Sequence, residues 1–221
     1  MLTHTPGEPG SGTPHQGRPL LWGGCALRDA ARVLVLVHGR GGSSEDILGL
    51  GEHLAPPDSA LVAPGAFQHT WYPHRFLEPT EHNEPWLSSA LRMLDDLEAY
   101  LSDEGIASER TFLVGFSQGA CLSSESVRRR PRPLAGLLAY AGGVIGPEAG
   151  AAGPADSLSS VPVLLACGDT DPHIPATRVR ETAELLTRMG AAVDLRLYPG
   201  MGHGINPDGL AAGRRILAPD G

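Results

Sequence analysis

The chain has 221 residues, 41% hydrophobic and 19% charged, with a formal net charge of −8. That length suits one α/β domain, the acidic balance excludes a broad basic face for nucleic acid, and apolar runs of only strand length exclude stable membrane insertion. Three cysteines (Cys25, Cys121 and Cys167), odd in number and without CxxC spacing, exclude a disulfide framework and a zinc site and fit a reducing, cytoplasmic setting.

Residues 1–19 are rich in Gly, Pro, Thr and His and predict a flexible tail ahead of one domain over 20–221. They carry neither the basic nor the apolar region of a signal peptide. Val33-Leu34-Val35-Leu36-Val37 is a continuous apolar run, the mark of a strand buried on both faces of a parallel sheet. The glycine-rich stretch His38-Gly39-Arg40-Gly41-Gly42 follows it, and a helix is predicted over 43–53 with Ser43 or Ser44 as cap. A short strand at 61–63 leads into a long irregular segment, 64–84, that holds Trp71, Tyr72 and Phe76. Leucines at 87, 91, 94, 97 and 101 form one stripe and predict a helix from Trp86. Strands are predicted at 111–116, 134–140, 161–167 and 193–198, with helices over 118–130, 175–189 and 205–217 between and after them. The basic run Arg128, Arg129, Arg130 and Arg132 reads as the C-terminal end of a helix, where cations complement the dipole. Such alternation implies a mainly parallel sheet with helices on both faces, and ligands bind beyond the carboxyl ends of its strands.

Gly115-Phe116-Ser117-Gln118-Gly119 matches G-x-S-x-G between an apolar strand and a helix. A serine on so sharp a turn needs small neighbours two residues away on either side, and its hydroxyl then stands above the sheet as a nucleophile. A base must follow it in the chain, after an acid. His4, His15, His38, His53, His69, His74 and His82 precede Ser117, which leaves His173 and His203. His203 sits in a glycine-rich loop after the last strand, whereas His173 is only two residues from the candidate acid. Of the two aspartates after Cys167, Asp171 is expected to orient His203 because Pro172 and Pro175 stiffen its loop, while Asp169 is expected to bond backbone in the turn. The backbone N–H groups of Gln118 and Arg40 are the expected oxyanion donors. Nothing calls for a cofactor, and no His/Asp cluster has metal-ligand spacing.

These motifs resemble the phospholipase/carboxylesterase family of α/β-hydrolases, in its acyl-protein thioesterase-like, bacterial carboxylesterase form. The resemblance runs from about residue 20 onward and rests on His38-Gly-Arg-Gly-Gly, the Gly115–Gly119 pentapeptide, Gly168-Asp-Thr-Asp-Pro-His-Ile-Pro175 and Gly200-Met-Gly-His203. It implies the α/β-hydrolase fold, catalytic Ser117, Asp171 and His203, and oxyanion donors Arg40 and Gln118. Ala120 departs from the glycine usual after the pentapeptide. The function so implied is a serine carboxylesterase cleaving small or short- to medium-acyl esters through an acyl-enzyme. An acyl thioesterase, a lysophospholipase and a non-catalytic binding protein of the same fold are the alternatives. Trp71, Tyr72, Phe76 and Trp86 are candidate substrate-pocket walls, with core packing as the competing role for each. The expected partner is a small-molecule ester or thioester, and a homodimer stays open.

Overall fold

Side chains along the strands point alternately to two cores. In β2 (Arg32–Val37), Val33, Val35 and Val37 face one side of the sheet while Leu34 and Leu36 face the other. The computed structural model describes residues 12–218. Its other strands are β1 (Leu20–Gly24), β3 (Ser59–Pro64), β4 (Thr111–Phe116), β5 (Gly136–Tyr140), β6 (Pro162–Gly168) and β7 (Ala192–Tyr198). They form one seven-stranded sheet in the order β1-β3-β2-β4-β5-β6-β7. β1 pairs antiparallel with β3, and the remaining pairings are parallel.

Helices α1 (Ser44–Leu54) and α5 (Pro207–Leu217) cover the leucine side of β2. Helices α2 (Trp86–Asp103), α3 (Gln118–Arg129) and α4 (Ala176–Arg188) cover the valine side. Ser43 caps α1 through a reciprocal capping box with Asp46. Among the described residues no helix is long and apolar enough to cross a membrane.

Two features differ from the sequence expectation. The edge strand β1 is an addition, since Leu-Leu-Trp-Gly-Gly is short, half-exposed and ends in residues that weaken strands. The second concerns the expected tail over residues 1–19. Its first eleven residues lie outside the described ones, but His15 is fully buried. The His15 backbone N–H donates to Ser89 Oγ at 3.0 Å, its Nε2 donates to the Trp71 carbonyl at 2.9 Å, and its Nδ1 accepts the Phe67 N–H at 3.2 Å. Gln16 Nε2 donates to the Ser89 carbonyl at 2.9 Å. These bonds and the packing of the His15 ring on Trp71 and Trp86 hold the segment, and its polar composition gave no sign of it.

The parallel strands deliver four loops to one edge of the sheet: 38–42 after β2, Ser117 after β4, 169–171 after β6 and 199–203 after β7.

Candidate active site

Ser117 occupies the turn between β4 and α3 with φ 55° and ψ −119°. A non-glycine residue there is strained, and such strain is held only where the surroundings over-determine it. The surroundings are tight. A Cβ on Gly115 would lie 2.6 Å from the Gly119 backbone, and one on Gly119 would lie 2.0 Å from the Val37 carbonyl oxygen. The two glycines therefore let α3 pack directly against β4 and β2, which lifts the Ser117 hydroxyl off the sheet.

His203 Nε2 stands 2.9 Å from Ser117 Oγ, and its Nδ1 stands 2.6 Å from Asp171 Oδ2. The Asp171 side chain is fully buried. Its Oδ1 accepts the N–H groups of His173 at 2.8 Å and Ile174 at 3.0 Å. Burial works to raise the Asp171 pKa, but the hydrogen bonds from His203 and from the two backbone amides outweigh it and hold the carboxyl below its ordinary range. A charged Asp171 fixes the His203 proton on Nδ1 and leaves Nε2 free to take the serine proton. Asp169 takes a different place: its Oδ1 accepts the Gly200 N–H at 2.7 Å and pins the loop that carries His203. His38 is buried, bonding the Gly39 carbonyl through Nδ1 at 2.7 Å and accepting the Ala66 N–H on Nε2 at 3.2 Å.

The backbone N–H of Gln118 opens α3 and has no intrahelical acceptor. The Arg40 N–H likewise has no backbone acceptor among the described residues. Both side chains turn away to one loop. Gln118 Nε2 donates to the Tyr72 carbonyl at 2.8 Å, while its Oε1 accepts the Trp71 N–H at 2.9 Å and the Thr70 hydroxyl at 3.2 Å. The Arg40 guanidinium donates to the carbonyls of Tyr72, Pro73 and His74 at 3.0, 2.7 and 2.6 Å.

A cavity of about 410 Å³ opens beside Ser117. Ser117, Gln118 and Cys121 border it on one side, residues 72–76 with Arg40 on a second, and His173, Ile174 and His203 on a third. Tyr72 and Phe76 thus stand where a pocket wall was expected. Trp71 and Trp86 do not line it, which corrects that part of the sequence reading. The Trp71 indole N–H donates to the His38 carbonyl at 2.8 Å, drawing the ring wholly into the core. Trp86 packs instead on Phe67 and His15, at ring-centroid separations of 5.4 and 5.7 Å. The sequence reading missed Cys121, Ile174, Pro73, His74 and Arg75, and it weighed His173 only as a base. Cys121 had a signal, because it lies one helical turn after Ser117 on the same face. Burial pushes its thiol up to about 12, so it stays protonated. The buried Tyr72 hydroxyl lies beside that thiol and has no nitrogen or oxygen partner among the described residues. A second cavity of about 310 Å³, bordered by Gly39, Arg40, Asp46, Ile47, Leu50, Phe116 and Ile205, lies across the 38–42 loop.

The family model described as Phospholipase/Carboxylesterase matches residues 25–218. A phospholipase/carboxylesterase structure from Dyadobacter fermentans is 36% identical, with a TM-score of 0.86 over 91% of this chain and 97% of that one. Acyl-protein thioesterase 1 of Gibberella zeae is 36% identical over 110 residues, which are 49% of this chain and 47% of that protein. Esterase YpfH of Escherichia coli is 25% identical over 190 residues, 81% of this chain and 78% of that protein. The chain thus spans about half the length of the Gibberella relative. The mainly parallel sheet with helices on both faces is the α/β-hydrolase fold, and the match over almost the whole described chain places this protein in the phospholipase/carboxylesterase family.

Proposed function

We propose that the protein is a carboxylic ester hydrolase working through an acyl-enzyme, with Ser117 as nucleophile, His203 as base and Asp171 as the group that orients and charges the imidazole. The observation that carries this reading is the unbroken hydrogen-bond chain from Ser117 Oγ through His203 to Asp171, at 2.9 and 2.6 Å, on a backbone strained at the serine. Ser117 Oγ attacks the ester carbonyl while His203 Nε2 takes its proton. The N–H groups of Gln118 and Arg40 receive the oxyanion. The imidazolium then gives its proton to the leaving alcohol, and the same imidazole activates water to release the acid. Esterase YpfH and the Dyadobacter structure support an ester substrate by their names. Substrates with small or short to medium acyl groups suit a cavity of about 410 Å³. The Gibberella relative, an acyl-protein thioesterase, supports a second reading in which the acyl group arrives on sulfur. Both use the same oxyanion, so they differ only in leaving group.

Ser117→Ala is expected to lower kcat on 4-nitrophenyl butanoate by about 10³-fold or more while the variant stays folded by circular dichroism. A fluorophosphonate should label the parent on Ser117 and leave the variant unlabelled. A folded variant with near-parental turnover would overturn the assignment.

A further inference from the structure

We propose that the cavity beside Ser117 receives the half of the ester that carries a carboxylate, so that monoanionic esters are its preferred substrates; this rests on the hydrolase reading above. The first argument is sign. Arg40 and Arg75 border the cavity and, among the described residues, no aspartate or glutamate does, although the whole chain carries a net charge of −8. Carboxylates outside the lining are engaged elsewhere, Glu125 with Arg128 and Arg129. Asp171 is buried on His203 and two backbone amides. Glu78 sits 3.3 Å from His82 and 4.0 Å from His74, outside the lining. Arg178, which stacks behind Phe76, is already bonded to Glu181 at 2.8 Å.

The second argument is uncompensated charge on a fixed frame. The Arg40 guanidinium bonds only carbonyls, which are neutral. Arg75 pairs with no carboxylate among the described residues, and its side chain stands exposed at the cavity. Its backbone is held by the fully buried Asn83, whose Oδ1 accepts the His74 N–H at 2.8 Å and whose Nδ2 donates to the Arg75 carbonyl at 3.3 Å. A guanidinium on a fixed backbone matches the planar fork of a carboxylate. The third argument is the opposite side. The cavity across the 38–42 loop is bordered by Ile47, Leu50, Phe116 and Ile205 as well as by Arg40 and Asp46, whose opposite charges leave it no cationic surplus, and it suits the uncharged half. An ester held at Ser117 therefore has one charged and one apolar direction in which to extend.

The test compares kcat/KM of the full chain on two pairs of near-isosteric esters. 4-Nitrophenyl hydrogen glutarate against 4-nitrophenyl pentanoate places the charge in the acyl half. 3-Acetoxypropanoate against propyl acetate places it in the alcohol half. The charged member of at least one pair is expected to be favoured about tenfold or more at low salt, the scale of one charge-assisted hydrogen bond. That preference should shrink as sodium chloride approaches 1 M. It should also collapse or invert in Arg75→Glu and persist in Arg75→Lys. Turnover of the neutral esters with no preference for charge in either pair, or a preference indifferent to salt and to Arg75→Glu, would overturn this proposal and leave the hydrolase standing. No turnover of any of the four, with no fluorophosphonate labelling of Ser117, would overturn both.

Discussion

Asp169 and Asp171 stand two residues apart and do different work. Asp171 Oδ1 is committed to two backbone N–H groups, so only Oδ2 faces His203. In Asp171→Asn the amide oxygen must keep those backbone bonds, which turns the NH₂ group toward Nδ1. The imidazole proton is then forced onto Nε2, where it faces Ser117 and blocks proton uptake. We expect a loss in kcat of about 10³- to 10⁴-fold, against less than about tenfold for Asp169→Asn, whose oxygen can still accept the Gly200 N–H. Steady-state kinetics of the two folded variants decide it, and equal losses would mean that Asp171 is no more than a turn residue. The sequence separated the two carboxylates by the prolines around Asp171, whereas the structure separates them by the bonds each oxygen makes. The same limit applies to Trp71 and Trp86. In an irregular segment no period says which way a ring faces, and one indole N–H bond to the His38 carbonyl decided it for Trp71.

At the scale of the element, the segment around His15 is a strap across residues 67–71 and α2. Burial draws the His15 imidazole from the ordinary 6.5 down to about 4; the Trp71 carbonyl offsets this in part, and Arg18 and His38 add to it. Because the folded value lies below the unfolded one, the contribution to stability is full above about pH 6.5. It is lost as pH falls from there to about 4, because the unfolded chain takes up the proton first. The size of that loss is up to about 3 kcal/mol. Urea unfolding of the parent and of His15→Gln across this range measures it. The variant should be weaker at neutral pH but fall less on acidification, and identical pH slopes would show that His15 does not titrate with unfolding. Composition could not reveal the strap, because it weighs apolar area, and five hydrogen bonds to two polar residues hold it together with the packing of the His15 ring.

For the molecule as a whole, most of the sheet was legible, because buried parallel strands write themselves as apolar runs. β4 falls on Thr111–Phe116, the same residues the apolar run marks. β1 was not legible, being an edge strand with one face partly in water and a glycine pair at its end. The arginine run at the end of α3 reads as expected. Arg128 and Arg129 bond the buried Glu125, Arg130 pairs with Asp95, and Arg132 pairs with Glu98, so the run clamps α3 and the following loop to α2. These arginines are thus spent on carboxylates, whereas Arg40 and Arg75 border the cavity in a chain of net charge −8. If the proposed anionic substrate is right, its association should weaken as salt screens these two guanidinium groups.

Residues 70–75 are tied by Gln118 from below, by Arg40 of the 38–42 loop and by Asn83 from behind. A wall fastened at three points to the floor it faces is not built to swing like a door, and substrate and product are expected to pass it without its opening. No opening step then stands between chemistry and release. The expected kinetic signature is a kcat that stays flat as sucrose raises the solvent viscosity, with a slope near zero against relative viscosity. A slope near one would mean that release, not chemistry, limits turnover and would overturn this expectation.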